Sequence, residues 1–369
     1  MEQHVSTPTS VLGRWLAARR AAHPQLDRSL AKLRPLRPLR LLPPHPLRRM
    51  RKSPLLRPLA FLGFLGPGLI AANAGNDAGA IATWSSVGGL YGYQMLWVLV
   101  VITVALSVIQ EMCARMGVAT GQGLSDLIRE RFGVRGAAFA MCTLLVANSL
   151  ITISEFAGIA AAAELVGISK YVAVPIAAVA IWLLITRGSY GRVQTIFLVM
   201  SLAFFTYPIA AVLAHPDWGQ VLHHTVVPSM HVTSLYLQLL VGTVGTTITP
   251  YMQFFIQASV AEKGMDMEHY AGERAETYFG SIFAAVIVAS IVIATGATVY
   301  AASHGQGVVI NTAEQAAQAL TPFLGTYAPV LFAVGLLGAS LLAAAVLPLS
   351  TAYSVTESFG FEHGVSYSF

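Results

Sequence analysis

Charge is what this sequence has least of. Asp, Glu, Lys and Arg make up 11% of its 369 residues, against about 25% in soluble domains. So few charges cannot cover a water-facing surface of this size, which excludes an ordinary soluble globular protein. Cysteine is nearly absent. Cys113 and Cys142 both fall in apolar runs and read as small apolar packers, with no disulfide framework. A cleavable signal peptide is missing too: the start of the chain is basic and proline-rich, as in Arg34-Pro35-Leu36-Arg37-Pro38, with no apolar stretch near residue 20. There is no Gly-rich phosphate loop with lysine, no zinc-binding helix motif and no nucleophile elbow. Transport driven by ATP hydrolysis in this chain therefore has no support. The chain reads as a non-enzyme that takes no cofactor and no nucleic acid.

What is abundant is apolar sequence. Hydrophobic residues make up 55% of the chain, and uncharged runs recur at the ~20-residue length that a helix needs to cross a bilayer. Eight spans are predicted, at about 59–88, 92–115, 136–164, 171–187, 193–214, 233–260, 278–302 and 326–357. Arg129, Arg131 and Arg135, then Arg187 and Arg192, then Lys263 and Arg274 all fall in connections on the side of the amino terminus. Only Lys170 falls on the other side. The positive-inside rule then puts the amino terminus in the cytoplasm of a multi-pass plasma-membrane protein. Residues 1–58 hold thirteen of the 22 Lys and Arg. They read as a disordered cytoplasmic tail, with a contact to anionic inner-leaflet lipid as the alternative. Residues 59–369 form the transmembrane domain.

Two spans are interrupted. The first contains Ala74-Gly75-Asn76-Asp77-Ala78-Gly79 at mid-membrane. The sixth contains Gly242, Gly245 and Pro250, with Thr246, Thr247 and Thr249 among them. Backbone freed by such breaks must be buried in protein or line a wet cavity, and paired interruptions in two repeats point to a transporter binding site. Five spans separate one break from the other, which is the arithmetic of an inverted repeat. The second repeat is then expected to run past the eighth span, beyond this sequence.

Asp77 is the sharpest single signal. A carboxylate at membrane depth is costly and faces an ion, a partner or water; the plainer alternative is an Asp that holds a helix break together. Pro250 cannot donate to the carbonyl of Thr246 one turn back, which leaves that oxygen for an ion. Neither 71–80 nor 242–251 contains His, Cys or Met; Met252 follows closely but lies beyond the proline. An all-oxygen site favours a hard ion, and one carboxylate with retained water suits Mg2+. Glu111 reads as a structural partner of Arg115. Glu155 fits an ion or proton path and a packing role equally well. His215, His223, His224 and His231 read as solvated in the loop before the sixth span.

At these residues the chain resembles the NRAMP family of divalent metal transporters. Gly66-Pro67-Gly68 through Asp77-Ala78-Gly79-Ala80 is similar to that family's first helix, with its Asp-Pro-Gly-Asn. Gln110-Glu111-Met112-Cys113-Ala114-Arg115-Met116-Gly117 and Thr120-Gly121-Gln122-Gly123-Leu124 are similar to its second helix and the loop after it. Thr249-Pro250 matches the Met-Pro-His of its sixth helix. The departures are Ala80 for the metal-binding Asn, Thr249 for the sulfur-bearing Met, Tyr251 and Ile256 for two histidines, and Thr152 for an acid.

This pattern resembles the NRAMP-related magnesium transporter branch. The resemblance implies the all-helical inverted-repeat fold of the leucine-transporter superfamily, and passive uptake of Mg2+, with Mn2+ as a second substrate. It implies an ion site of Asp77, the carbonyls of Ala74 and Thr246, and Thr249 through water. Ala80, Asn76, Gly79 and Gly245 are expected to line the pocket. A proton-coupled Mn2+ or Fe2+ symporter is the alternative within the family. An organic-solute symporter of the same fold is the alternative outside it.

Overall fold

The computed structural model describes residues 67–188, 190–264, 267–310, 312, 315–316 and 328–360. The basic tail and the first residues of the first span lie outside them. All regular structure among the described residues is helical. Helices α1 (Pro67–Ala74) and α2 (Ala78–Tyr91) form the broken first span, followed by α3 (Leu96–Thr120), α4 (Leu124–Leu165) and α5 (Lys170–Arg187). The fifth span is α6 (Tyr190–Ser201) and α7 (Thr206–Leu213), joined by a 3-10 turn at Leu202–Phe205. Pro208 explains that turn: it has no N–H for the carbonyl of Phe204, so the ladder tightens just before it.

A short helix α8 (Trp218–Val226) precedes the sixth span, which is α9 (Ser234–Thr247) and α10 (Pro250–Lys263). The seventh is α11 (Tyr270–Thr295), continued by a π turn at Gly296–Tyr300, and the last described helix is α12 (Ala328–Phe359). Seven of these helices or helix trains are long and apolar enough to cross a membrane. They correspond to the second to eighth of the expected spans, and α1–α2 is the broken first.

Two expected connections turn out to be helical. The polar stretch after α3 is the start of α4, bent away from the rest of that helix at Gly133, where φ is 74°. Its first N–H groups are held from far away: Ser125 N donates to Glu357 Oε2 at 3.2 Å, a partner no local pattern could supply. The histidine-bearing loop contains α8, capped by Asp217, whose Oδ1 accepts from Gly219 N and Gln220 N. Cys142 is exposed rather than packed, while Cys113 is buried.

Hydrophobic burial alone does not drive helices together in lipid, so close backbone approach and buried polar bonds carry much of the packing. Helix α1 lies on α11 with almost no side chain between them. A Cβ on Gly280 would come within 2.8 Å of the Gly68 carbonyl oxygen and Leu69 Cα. Glu276, buried on α11, accepts from Gly68 N at 2.9 Å. Lys263, at the end of α10, pairs with Glu273 at 2.9 Å and Glu276 at 3.8 Å. The outward faces carry exposed Val101, Val104, Phe139, Leu150 and Trp182, as lipid-facing surfaces do.

Candidate functional site

Both breaks fall where the sequence reading puts them. Between α1 and α2 the chain leaves the helix over Gly75–Asp77; between α9 and α10 it does so at Ile248–Thr249. Asp77 is the N-cap of α2 and 4% exposed. Its Oδ1 accepts from Ala80 N at 2.7 Å. It therefore does hold the break together, at the positive end of a helix where negative charge is favoured. It makes no ion pair with any basic side chain among the described residues.

A second carboxylate stands at the same helix end. Glu155, on α4, is fully buried and its Oε2 accepts from Ala78 N at 3.2 Å. Its Oε1 meets no hydrogen-bond geometry with any of the described residues. Gly158, one turn on, lets α4 close onto both neighbours: a Cβ there would lie 2.7 Å from Ala78 Cβ and 2.3 Å from Ser340 Oγ of α12. The packing role of Glu155 is therefore visible in one oxygen, which anchors α2.

The sixth-helix break supplies hydroxyls. Thr249 is buried at the N-cap of α10 and makes no capping bond. The Oγ1 atoms of Thr246, Thr247 and Thr249 are buried without hydrogen-bond partners among the described residues. Pro250 opens α10, so no N–H stands four residues beyond the Thr246 carbonyl.

The expected pocket residues separate. A cavity of about 530 Å³ has Ala78, Gly79, Thr83, Ser86, Ser154 and Gly158 in its wall, with Leu239 of α9 and Ile310 and Thr312 from the connection after α11. Gly79 thus lines it, directly beside Asp77. Ala80 does not: it is 2% exposed and packed into the hydrophobic core, because the helical turn that gives its N–H to Asp77 points its methyl inward. Asn76 is turned the other way, donating to the Ala284 carbonyl at 3.1 Å. It borders a separate cavity of about 10 Å³ with Gly75, Thr247 and Ser281, the size of a single water. Gly245 stands exposed, with open space where a side chain would project.

Two further residues reach the first break. Tyr251, fully buried, donates its hydroxyl to the Ala74 carbonyl at 2.6 Å, so one lone pair of that expected ligand meets a phenol. Met252 corrects the expectation that no soft atom stands at either break: its sulfur would lie 2.6 Å from a Cβ on Gly75, and Gln110 Nε2 is 4.0 Å from it. One signal could have found Tyr251, since a tyrosine buried beside a helix break needs a partner for its hydroxyl. Of the other side chains singled out earlier, Glu111 meets Arg115 at 3.9 Å as expected and also accepts from Tyr270. His231 contacts Gln94 at 2.6 Å. The described residues contain no group of three or more His, Cys, Asp or Glu able to hold a metal.

Comparison with known proteins gives the arrangement its relatives. Residues 68–368 match the family described as "Natural resistance-associated macrophage protein-like", Nramp. A protein of Caldanaerobacter subterraneus subsp. tengcongensis named "Divalent metal cation transporter MntH" is 28% identical over 296 residues, 78% of this chain and 69% of that protein. The protein of the same name from Deinococcus radiodurans is 31% identical over 293 residues, 77% of this chain and 66% of its own. Among solved structures, the Eremococcus coleocola manganese transporter, crystallised with an aromatic bis-isothiourea substituted compound, superposes with a TM-score of 0.66. It shares 20% identity and the match covers 84% of this chain and 68% of that one. The fold is the all-helical, leucine-transporter-like one, with discontinuous first and sixth helices. With the family model spanning the whole of the described bundle, the chain belongs to the Nramp family.

Proposed function

We propose that this multi-pass divalent metal cation transporter carries partly hydrated Mg2+, with Mn2+ as a second substrate, by alternating access without proton coupling. The observation that carries the reading is Asp77: a buried carboxylate at a helix N-terminus, with no basic partner among the described residues, next to the cavity wall at Ala78 and Gly79. A lone buried charge of that kind is costly unless an ion or water faces it. The hydroxyls of Thr246 and Thr249 and the Thr246 carbonyl add hard oxygen. Glu155 Oε1 adds a second negative group on the ion's path. Where the family carries Asn and Met, Ala80 and Thr249 remove an amide and a thioether. That favours an ion held by few protein ligands and its own water.

The two ends of the bundle differ in a way that suits alternating access. On the α1 side, Gly68 and Gly280 meet backbone to backbone and Glu276 holds the start of α1. On the α2 side lies the 530 Å³ cavity. The distribution of Arg and Lys makes the α1 side cytoplasmic. A negative interior would then drive entry by about 2.3 kcal/mol per charge per 100 mV, twice over for a divalent ion.

One observation favours the second reading, proton-coupled uptake of Mn2+ or Fe2+: the Met252 thioether against Gly75. Its contact with Gln110, away toward α3, argues for a packing role. Uptake into proteoliposomes at a set potential, with a pH dye inside, separates the two. Mg2+ uptake without internal acidification is expected. Mn2+ uptake that acidifies the interior and is untouched by excess Mg2+ would overturn the choice.

A further inference from the structure

We propose that Tyr251 tunes ion specificity by hydrogen-bonding the Ala74 carbonyl, which weakens that oxygen as an ion ligand and favours water in its place. The inference rests on the reading above that the transported ion sits at Asp77.

Ala74 is the last residue of α1. Its carbonyl belongs to the set that a helix end leaves without an intrahelical donor, and it carries the negative end of the helix dipole. It lies three residues before Asp77, in the same helix break. It accepts from the Tyr251 hydroxyl at 2.6 Å. That bond joins the first helix break to the sixth. The tyrosine is pinned from a third side: Ser350 Oγ, on α12, donates to the Tyr251 carbonyl at 2.9 Å. Both residues are fully buried, and Tyr251 follows Pro250 in the first turn of α10, where its backbone has little freedom.

A stripped ion that took the Ala74 carbonyl would share its oxygen with the phenol, whose O–H draws electron density from it and leaves the ion a weaker ligand. A hydrated ion need not: it meets Asp77 and keeps water where the carbonyl would have been. Mg2+ gives up water reluctantly, so the phenol costs it less than it costs a more readily dehydrated ion. The replacement of a family histidine by tyrosine thus acts in the same direction as Thr249 and Ala80, through the other broken helix.

The test is Tyr251→Phe, which keeps the ring and removes the hydroxyl. Dissociation constants for MgCl2 and MnCl2 are measured by calorimetry on the purified, detergent-solubilised full chain. The preference for Mn2+ over Mg2+ is expected to rise about tenfold, the equilibrium equivalent of one buried hydrogen bond. A ratio unchanged within about twofold, with binding intact, overturns the proposal, because a purely structural role would move both ions together. If Tyr251→Phe binds neither ion, Tyr251→Leu is decisive, since it also removes the hydroxyl that Ala74 accepts, with a smaller side chain. A shift of the ratio toward Mn2+ supports the proposal and an unmoved ratio overturns it. If the unmodified protein binds Mn2+ and not Mg2+, the Mg2+ assignment fails by itself. The proposal is then judged on Mn2+ affinity, expected to tighten about tenfold in Tyr251→Phe; no change overturns it.

Discussion

Asp77→Asn isolates the charge at the centre of this site. Asn caps a helix as well as Asp does, and its amide oxygen can keep the 2.7 Å bond from Ala80 N. The first break therefore survives the substitution, and only the negative charge is lost. Two unit charges 4 Å apart attract by about 4 kcal/mol at an effective dielectric constant of 20, and a divalent ion doubles this to about 8. Dehydrating the ion and the carboxylate offsets much of that. A remainder of about 3 kcal/mol corresponds to a roughly hundredfold loss of affinity. The assay is Mg2+ uptake into proteoliposomes held negative inside, followed by a trapped Mg2+ dye, with thermal unfolding run in parallel. Asp77→Asn should fall at least a hundredfold in apparent affinity while unfolding near the temperature of the unmodified protein. Asp77→Ala should lose transport and also about 1 kcal/mol of stability with the cap. Uptake by Asp77→Asn within about threefold of the unmodified protein would refute the reasoning, since the carboxylate would then be a cap and nothing more.

Other outcomes follow from the same geometry. Lys263→Ala should destabilise the fold by about 3 kcal/mol, because it takes from the buried Glu273 its only cation among the described residues, and from Glu276 the longer ion pair; a shift under about 1 kcal/mol in detergent unfolding would show the ion pairs to be incidental. Gly280→Ala places a methyl 2.8 Å from the Gly68 carbonyl oxygen and Leu69 Cα. Neither is the flexible tip of a side chain, so a loss of about 1–3 kcal/mol is expected together with slowed Mg2+ flux. Flux as fast as that of the unmodified protein would show that α1 need not dock on α11.

The helix breaks were legible because their causes are local. Gly75, Asn76 and Asp77 interrupt the first span within one turn, and Pro250 withholds an N–H from Thr246 wherever the helix happens to lie. The membrane class, the crossing count and the equivalence of the two breaks follow from the same short-range rules. Asp77 was legible as well, since a carboxylate in an apolar run stands out whatever surrounds it. The division of labour within the site was not. Ala80 and Asn76 were expected beside the ion, yet one faces the core and the other faces α11. Those orientations depend on the pitch at which α2 restarts after the break.

What the amino-acid sequence settles by itself is therefore a chain of membrane helices with two engineered weaknesses and an acid at one of them. Helical hydrogen bonding, proline and the cost of charge in hydrocarbon act over a few residues, and they need no tertiary context. Only the folded structure decides that Tyr251 reaches Ala74 across 177 positions of sequence, that Glu155 anchors α2, and that Glu276 holds the N–H of Gly68 at the start of α1. Those contacts come from how rigid helices cross and how closely glycine lets them approach, and that geometry is a property of the assembled bundle.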